Sequence, residues 1–524
     1  MSPLIMDMVH HNPGEALFET PFNEADYIAE IGYNAKAYFL FESPSLAIDW
    51  RSVDVDVFPE GSESEKWLKQ KRESILAQHA KCRAAGLAIY AQADMVLLPK
   101  SLIQAYGIEK EFGDPQNPLV VDLIKKQIAE SFEQFPDLDG FLFRIGETYL
   151  HDAPHHQGAI KDKDNTQETI IPLINLLREE ICVKHKKKLI FRSWLSFDRD
   201  PEQYALINQE VEPHEYLTLA VKHSEDDFHR GTAFSRIIGQ GRHPQIIEVQ
   251  CSREYEGKAA HPNYIAAGVI NGFEENLNQG LEIYSLKTFV DQTPELYAGV
   301  WTWCRGGGWN GPFAANKLWY ELNAWVIATW AQNTSQSEEQ VFERYCKEKL
   351  NLDEASSQHF RKLCLLSLDG VIRMRNTLEG DVDLWWARDM GFAWPKYIHD
   401  DQATIEKCLA LKDEAVAIWQ EMCSLADQIS WPDEELADFA KGSVHYGLGV
   451  AMIYRSLFYT DAAVRNDDKE AIIQGIGDYD QAWDFYESLP SKFKNLSTQY
   501  QKDYCLHLDP AENVIQELKK KYNV

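Results

Sequence analysis

Several things are missing from this chain of 524 residues, and each absence removes a class of protein. Its nine cysteines are scattered, with no C-x-x-C and no close pairs. A disulfide scaffold or a thiol-ligated zinc site is therefore not expected, and buried reduced thiols are. No apolar run approaches the ~20 residues that a membrane helix needs. The first residues, MSPLIMDMVHHNPGEALF, carry no Lys or Arg ahead of their short apolar stretch, so they do not read as a signal peptide, and a cytoplasmic location is expected. Positive charge is scarce. Lys and Arg number 52 against 82 Asp and Glu, a formal net charge of −30. Phosphates would be repelled over much of such a surface, so neither nucleic acid nor an anionic membrane is expected as a partner. Internal repeats and low-complexity segments are absent too. What remains is a large globular chain, 44% hydrophobic and 12% aromatic, with ample material for extensive cores.

Short apolar runs closed by charge or glycine recur along the first 300 residues. They are Leu4–His10, Lys36–Glu42, Ala88–Gln92, Gly140–Arg144, Lys188–Arg192, Leu217–Lys222, Gln245–Gln250 and Ala298–Trp303. Runs of this kind read as parallel strands buried on both faces. Amphipathic helical segments alternate with them: Glu24–Ile31, Glu63–Ala85, Val120–Phe135, Glu168–His185 and Asn263–Gly280. Eight β/α units predict a closed (β/α)8 barrel. An open doubly wound sheet is the alternative. Such a sheet shows a glycine-rich phosphate turn after its first strand, whereas the turn here reads HHNPGE, without G-x-G-x-x-G. After the turn CRGGGWNGP no convincing strand follows, and helical periodicity dominates in Glu339–Leu350, Ser356–Leu378, Asp401–Ile429, Glu434–Tyr459, Lys469–Leu489 and Ala511–Tyr522. The expected organisation is a barrel over residues 1–315 and an all-α domain over 316–524, the latter a candidate surface for homodimer formation.

In a (β/α)8 barrel the active site gathers at the carboxyl ends of the strands. Three candidate strands deliver a carboxylate there: Glu147 in DGFLFRIGETY, Asp227 in LTLAVKHSEDDF and Glu254 in QIIEVQCSREY. Hydrolysis of a glycosidic bond needs one carboxylic acid to protonate the leaving oxygen and a second carboxylate to activate water or attack carbon. A single strand-end acid is more often a helix cap or a surface ion pair. Three in register with three strands point to catalysis. Each also stands beside a cation, and Arg144, Arg192 and Lys222 are the strand-end neighbours. Buried cations need partners. Arg144, Arg192 and Lys222 either pair with the acids or bind an anionic substituent of the substrate.

These segments resemble glycoside hydrolase family 67, the α-glucuronidases. The family's strands GFLVKADSE, WRxFVY, QIKNGPxDF and FQxxQEYTGQ are matched here by GFLFRIGE, FRSWLSFD, AVKHSEDDF and EVQCSREYEG. The spacing from Lys222 to Asp227 is the family's own. One residue fewer separates Arg144 from Glu147, His223 and Ser224 replace an Asn-Gly, and the chain begins at the first barrel strand. The resemblance implies Glu147 as general acid and Asp227 with Glu254 as the base carboxylates of an inverting hydrolase. It also implies contacts from Arg144, Arg192 and Lys222 to a sugar carboxylate. The turn VWTWCRGGGWNG, carrying Trp303, Arg305 and Trp309, and the strand end at Trp194 supply further candidate substrate contacts, the tryptophans by stacking on a sugar face.

The expected substrate is an oligosaccharide containing a uronic acid. No cofactor is expected. His10, His11, Glu15, His151, Asp152, His155 and His156 lack helical metal-ligand spacing such as H-E-x-x-H, and the second group reads as lining the pocket or the loop above it. A metal-dependent isomerase or lyase of uronic acids, a glycosidase with another sugar specificity, and a sugar-binding barrel without catalysis are the competing readings.

Overall fold

The computed structural model describes residues 2–11, 19–94, 96–145, 152–192, 197–198, 200–277, 279–305, 313–314, 316–375, 391–397, 399–502 and 510–524. Among these residues ten strands are found: β1 (Leu4–Val9), β2 (Ala35–Tyr38), β3 (Ala88–Asp94), β4 (Val96–Pro99), β5 (Gly140–Arg144), β6 (His156–Ala159), β7 (Lys188–Arg192), β8 (Leu217–Lys222), β9 (Gln245–Gln250) and β10 (Tyr297–Arg305). Eight of them close into a barrel in the order β1-β10-β9-β8-β7-β5-β3-β2. The expected (β/α)8 barrel is the fold observed. β4 and β6 form a separate antiparallel pair, which the sequence did not announce.

Glycine sets the closeness of the strands at two points. A Cβ on Gly140 would lie 2.0 Å from the Lys188 carbonyl oxygen, and one on Gly299 would lie 1.9 Å from that of Leu4. Gly299 also has a φ of +132°, so no side chain is compatible with either its backbone or its neighbour.

Alternation along the strands divides barrel interior from exterior. Met6, Met8, Ala35, Ala37, Tyr90, Leu142, Ile190, Ala220, Ile246, Trp301 and Trp303 form one buried cluster, the apolar filling of the barrel. Two residues further along the same faces the filling turns polar: His10, Gln92, Arg144, Arg192, Lys222 and Glu248. An apolar plug capped by a ring of charge at the carboxyl end is therefore written into the period-2 pattern of the strands.

The chain divides into two compact units whose segments interleave. The first comprises Met1–Asp227, Phe234–Val249 and Glu282–Cys304, and the second Phe228–Ala233, Gln250–Leu281 and Arg305–Val524. The second is built mainly of the helices Leu318–Gln332, Glu338–Glu348, Glu354–Arg375, Gln402–Gln428, Glu434–Arg465, Lys469–Lys492 and Ala511–Tyr522. Ser337, Asp401, Asp433 and Asp468 accept backbone N–H groups at four of their N-termini, satisfying donors the helix cannot.

Two helical segments differ from expectation. Glu168–His185 is an α-helix, Ile171–Leu177, flanked by wider π turns at Thr166–Ile170 and Arg178–Lys184. Asn263–Gly280 is broken into Ile265–Asn271 and Glu274–Leu277, because Gly272 takes a φ of +107° that ends the first helix. Among the described residues no helix is long and apolar enough to cross a membrane, and the eight described cysteines are all buried.

Candidate active site at the carboxyl end of the barrel

The charged ring of the first unit is built by strand register. Arg144 on β5 and Arg192 on β7 are cross-strand Cα partners, and Lys222 on β8 is partnered with Glu248 on β9. Arg144, Arg192 and Lys222 are 5%, 2% and 0% exposed, so their charges must be answered locally. Glu248 answers Arg192 bidentately, accepting from Nε at 2.7 Å and Nη2 at 2.5 Å. The Cα partner of Arg192 on the strand between them is Ala220, whose single methyl leaves room for the guanidinium to reach past it. Lys222 Nζ lies 3.3 Å from Asp227 Oδ1 and 3.5 Å from Asp198 Oδ2. Arg144 sits with its guanidinium 6.0 Å from the Phe39 ring.

Asp227 differs from its neighbours in exposure. Its side chain is 27% exposed, against 1% for Lys222 and 2% for Asp198. It is the more exposed partner of the buried Lys222.

Aromatic rings support this layer. The Arg192 guanidinium is 4.9 Å from the Trp303 ring and 5.5 Å from that of Trp301, and His10 stacks on Trp303 at 5.1 Å. Trp303 is 5% exposed. In this geometry its ring is a shelf under Arg192.

Glu254 and Arg305 belong to the second unit. Glu254 is buried and clasped reciprocally by Gln250: its N–H donates to Gln250 Oε1 at 2.8 Å, and Gln250 Nε2 donates to Glu254 Oε1 at 3.0 Å. The loop carrying it is strained, with left-handed backbone at Arg253 (φ +26°), Lys258 (+50°) and Ala259 (+64°). Non-glycine residues hold such angles only where the surroundings impose them, commonly at functional sites. Glu256 helps impose them here. It accepts from the Arg230 N–H at 2.6 Å and from Asn263 Nδ2 at 2.8 Å. Burial alone would raise its pKa, but Arg253, Arg230 and these hydrogen bonds prevail and hold it below the usual carboxylate range. Arg305, also buried, lies 4.8 Å from the Phe313 ring, and Lys258 Nζ lies 4.6 Å from the same ring.

Glu147, His151, Trp194 and Trp309 lie outside the described residues. His155 and His156 are described at the β4–β6 pair. His156 is fully buried against Phe58 and Trp67, and burial, with smaller effects from His155 and Lys100, pushes its pKa down to about 3. Among the described residues, no group of three or more His, Cys, Asp or Glu is placed to hold a metal.

Two members of the ring went unrecognised in the sequence. Glu248 lies inside the apolar run Gln245–Gln250, where it reads as an interruption. Its signal was its parity, two residues past the interior Ile246. Asp198 follows strand β7 in LSFDRD and had only its neighbourhood to mark it.

No protein-family model matches the chain, and no curated protein matches it in sequence. Solved structures do. A glycoside hydrolase family 138 enzyme targeting pectin rhamnogalacturonan II is similar with a TM-score of 0.61 at 11% identity, over 100% of this chain and 83% of that one. A family 89 glycoside hydrolase from Clostridium perfringens, solved with its substrate GlcNAc-α-1,4-galactose, gives 0.54 at 10% identity, over 92% of this chain and 53% of that one. The likeness is one of fold. It joins a closed barrel to a large helical region, the arrangement described above.

Proposed function

We propose that the protein is a glycoside hydrolase that removes a terminal uronic acid from an oligosaccharide, α-glucuronidase-like and inverting. The observation that carries this reading is the gathering of Arg144, Arg192 and Lys222 at interior positions of three barrel strands, with the rim carboxylate Asp227 held on Lys222. A net charge of −30 repels anions in general, so cations concentrated at the mouth of the barrel serve a specific anion there. The sugar carboxylate is that anion. Barrel-fold neighbours that are glycoside hydrolases, one of them directed at pectin, support the reaction class.

In this mechanism Glu147 protonates the leaving oxygen. Asp227 and Glu254 orient and deprotonate the attacking water, which approaches from the opposite face of the sugar ring. A neutral hexoside would offer the strand-end cations no carboxylate to bind, and sites built to hydrogen-bond a group discriminate strongly against analogues that lack it. Incubation with a panel of oligosaccharides capped by uronic acids or by the matching neutral sugars tests this. Release of the uronic acid with inverted anomeric configuration, and little release of the neutral sugar, is the expected result. Equal cleavage of both, or a product of retained configuration, overturns it.

A further inference from the structure

Arg192 holds an unusual position for a residue expected to grip substrate. Two of its three nitrogens, Nε and Nη2, are committed to Glu248. The side chains of the pair are 3% and 0% exposed. The guanidinium also lies near the rings of Trp301 and Trp303. Guanidinium is planar, and a bidentate carboxylate on one edge with indoles alongside fixes both its plane and its rotation about the side-chain axis. Nη1 takes no part in the Glu248 pair, so its direction is set once the other two nitrogens are held. Lys222, by contrast, is a rotatable ammonium that lies between Asp198 and Asp227.

We infer that Glu248 is a positioning residue for sugar recognition: it holds Arg192 as a preoriented donor, so that discrimination between a uronate and a neutral sugar depends on Glu248 as much as on the cation. The inference rests on the uronide reading and extends it to a residue that touches no substrate. The alternative is a plain counter-ion, which would stabilise the barrel equally for every ligand. Preorientation acts differently, because an arginine already aligned loses little freedom when the carboxylate arrives.

Binding of free glucuronate and of glucose, measured by titration calorimetry on the full-length protein, separates these roles, with thermal unfolding as the check on folding. Wild type is expected to prefer glucuronate by at least about tenfold, the scale of one charge-assisted contact. Glu248→Gln, which removes the charge and half of the fork, should bring that ratio close to one while glucose binding changes little. A folded Glu248→Gln that keeps the preference overturns the inference and leaves the uronide reading standing. A wild type without preference overturns both. Should Glu248→Gln fail to fold, Arg192→Lys decides, because it retains a cation opposite Glu248 but presents no planar fork. Its preference should be lost, and if it is kept, a point charge suffices and the positioning role falls.

Discussion

Asp7 shows how much one buried charge can govern. It lies on β1 between Met6 and Met8, which face the barrel interior, so its side chain turns outward beneath the helices. Oδ1 accepts from Thr302 Oγ1 at 2.6 Å and from the Cys304 N–H at 3.2 Å, while Oδ2 has no hydrogen-bond partner among the described residues. Burial drives its pKa up to about 7, against the opposing pull of Thr302, Lys36 and Cys304. A carboxyl group with a raised folded pKa holds its proton in the native state between roughly pH 4 and 7, where the unfolded chain has released it. Its contribution to stability is therefore complete below pH 4 and is lost as pH rises through about 7. An asparagine amide at this position would carry a donor where the protonated acid carries its proton, which makes Asp7→Asn a like-for-like comparison. The variant should be more stable than wild type at pH 8, by up to about 4 kcal/mol, with the gap closing towards pH 4. Denaturant unfolding across that range checks it, and a gap that is independent of pH would show that Asp7 is not protonated in the native state. At this same scale the sequence concealed most. Acids and bases at strand ends were legible because charge closing an apolar run is rare. Glu248 was not, because a charge within such a run is read as noise unless the alternation is followed residue by residue.

Elements were legible in proportion to the contrast they make with their surroundings. All eight barrel strands were marked by apolar runs bounded by charge or turn residues, and long helices such as Gln402–Gln428 by their periodic apolar faces. The helix Leu318–Gln332 was missed for the opposite reason. Fourteen of its residues are buried, from Leu318 to Ala331, so it is apolar all round and shows no stripe. Helix Pro201–Glu210 was missed although its start was signed. Asp200 accepts from two backbone N–H groups, and proline follows at the first helical position, a pairing that favours a helix N-terminus. Close approach between elements yields a prediction with an internal control. Gly140→Ala would press its methyl group into the Lys188 backbone, 2.0 Å from the carbonyl oxygen, and neighbouring strands cannot separate without breaking their ladder. Soluble folded protein should fall sharply. Gly477, inside helix Lys469–Lys492, has nothing within 4 Å of the corresponding position, so Gly477→Ala should stabilise by about 1 kcal/mol through helix propensity alone. Thermal unfolding of the two variants decides. Comparable midpoints for both would mean that the strand contact is far softer than the geometry implies.

For the whole molecule, the consequence lies in how the chain is shared between its units. A cut at residue 315 looks natural in the sequence, since strands lie before it and helices after. The second unit, however, also takes Phe228–Ala233 and Gln250–Leu281 from the barrel part of the chain, and their polar groups are satisfied by the later helices. Asn323 Nδ2 donates to the carbonyls of Cys251 and Asn263, and the Tyr264 N–H donates to Ser367 Oγ. Arg230 Nη1 donates to the Leu368 carbonyl, and Glu338 accepts from the Tyr264 hydroxyl. Removing residues 316–524 would strip all of these at once, leaving buried polar groups and the apolar residues around them without partners, each orphaned group costing about 1–3 kcal/mol. Their sum is comparable with the whole stability of a domain. Residues 1–315 expressed alone should therefore be aggregated or molten, without a cooperative unfolding transition, even though they contain every barrel strand. A soluble, monomeric 1–315 fragment that unfolds cooperatively would show that the barrel folds independently. The loop bearing Glu254 would then owe its conformation to the strands alone, rather than to the helices that now bond it.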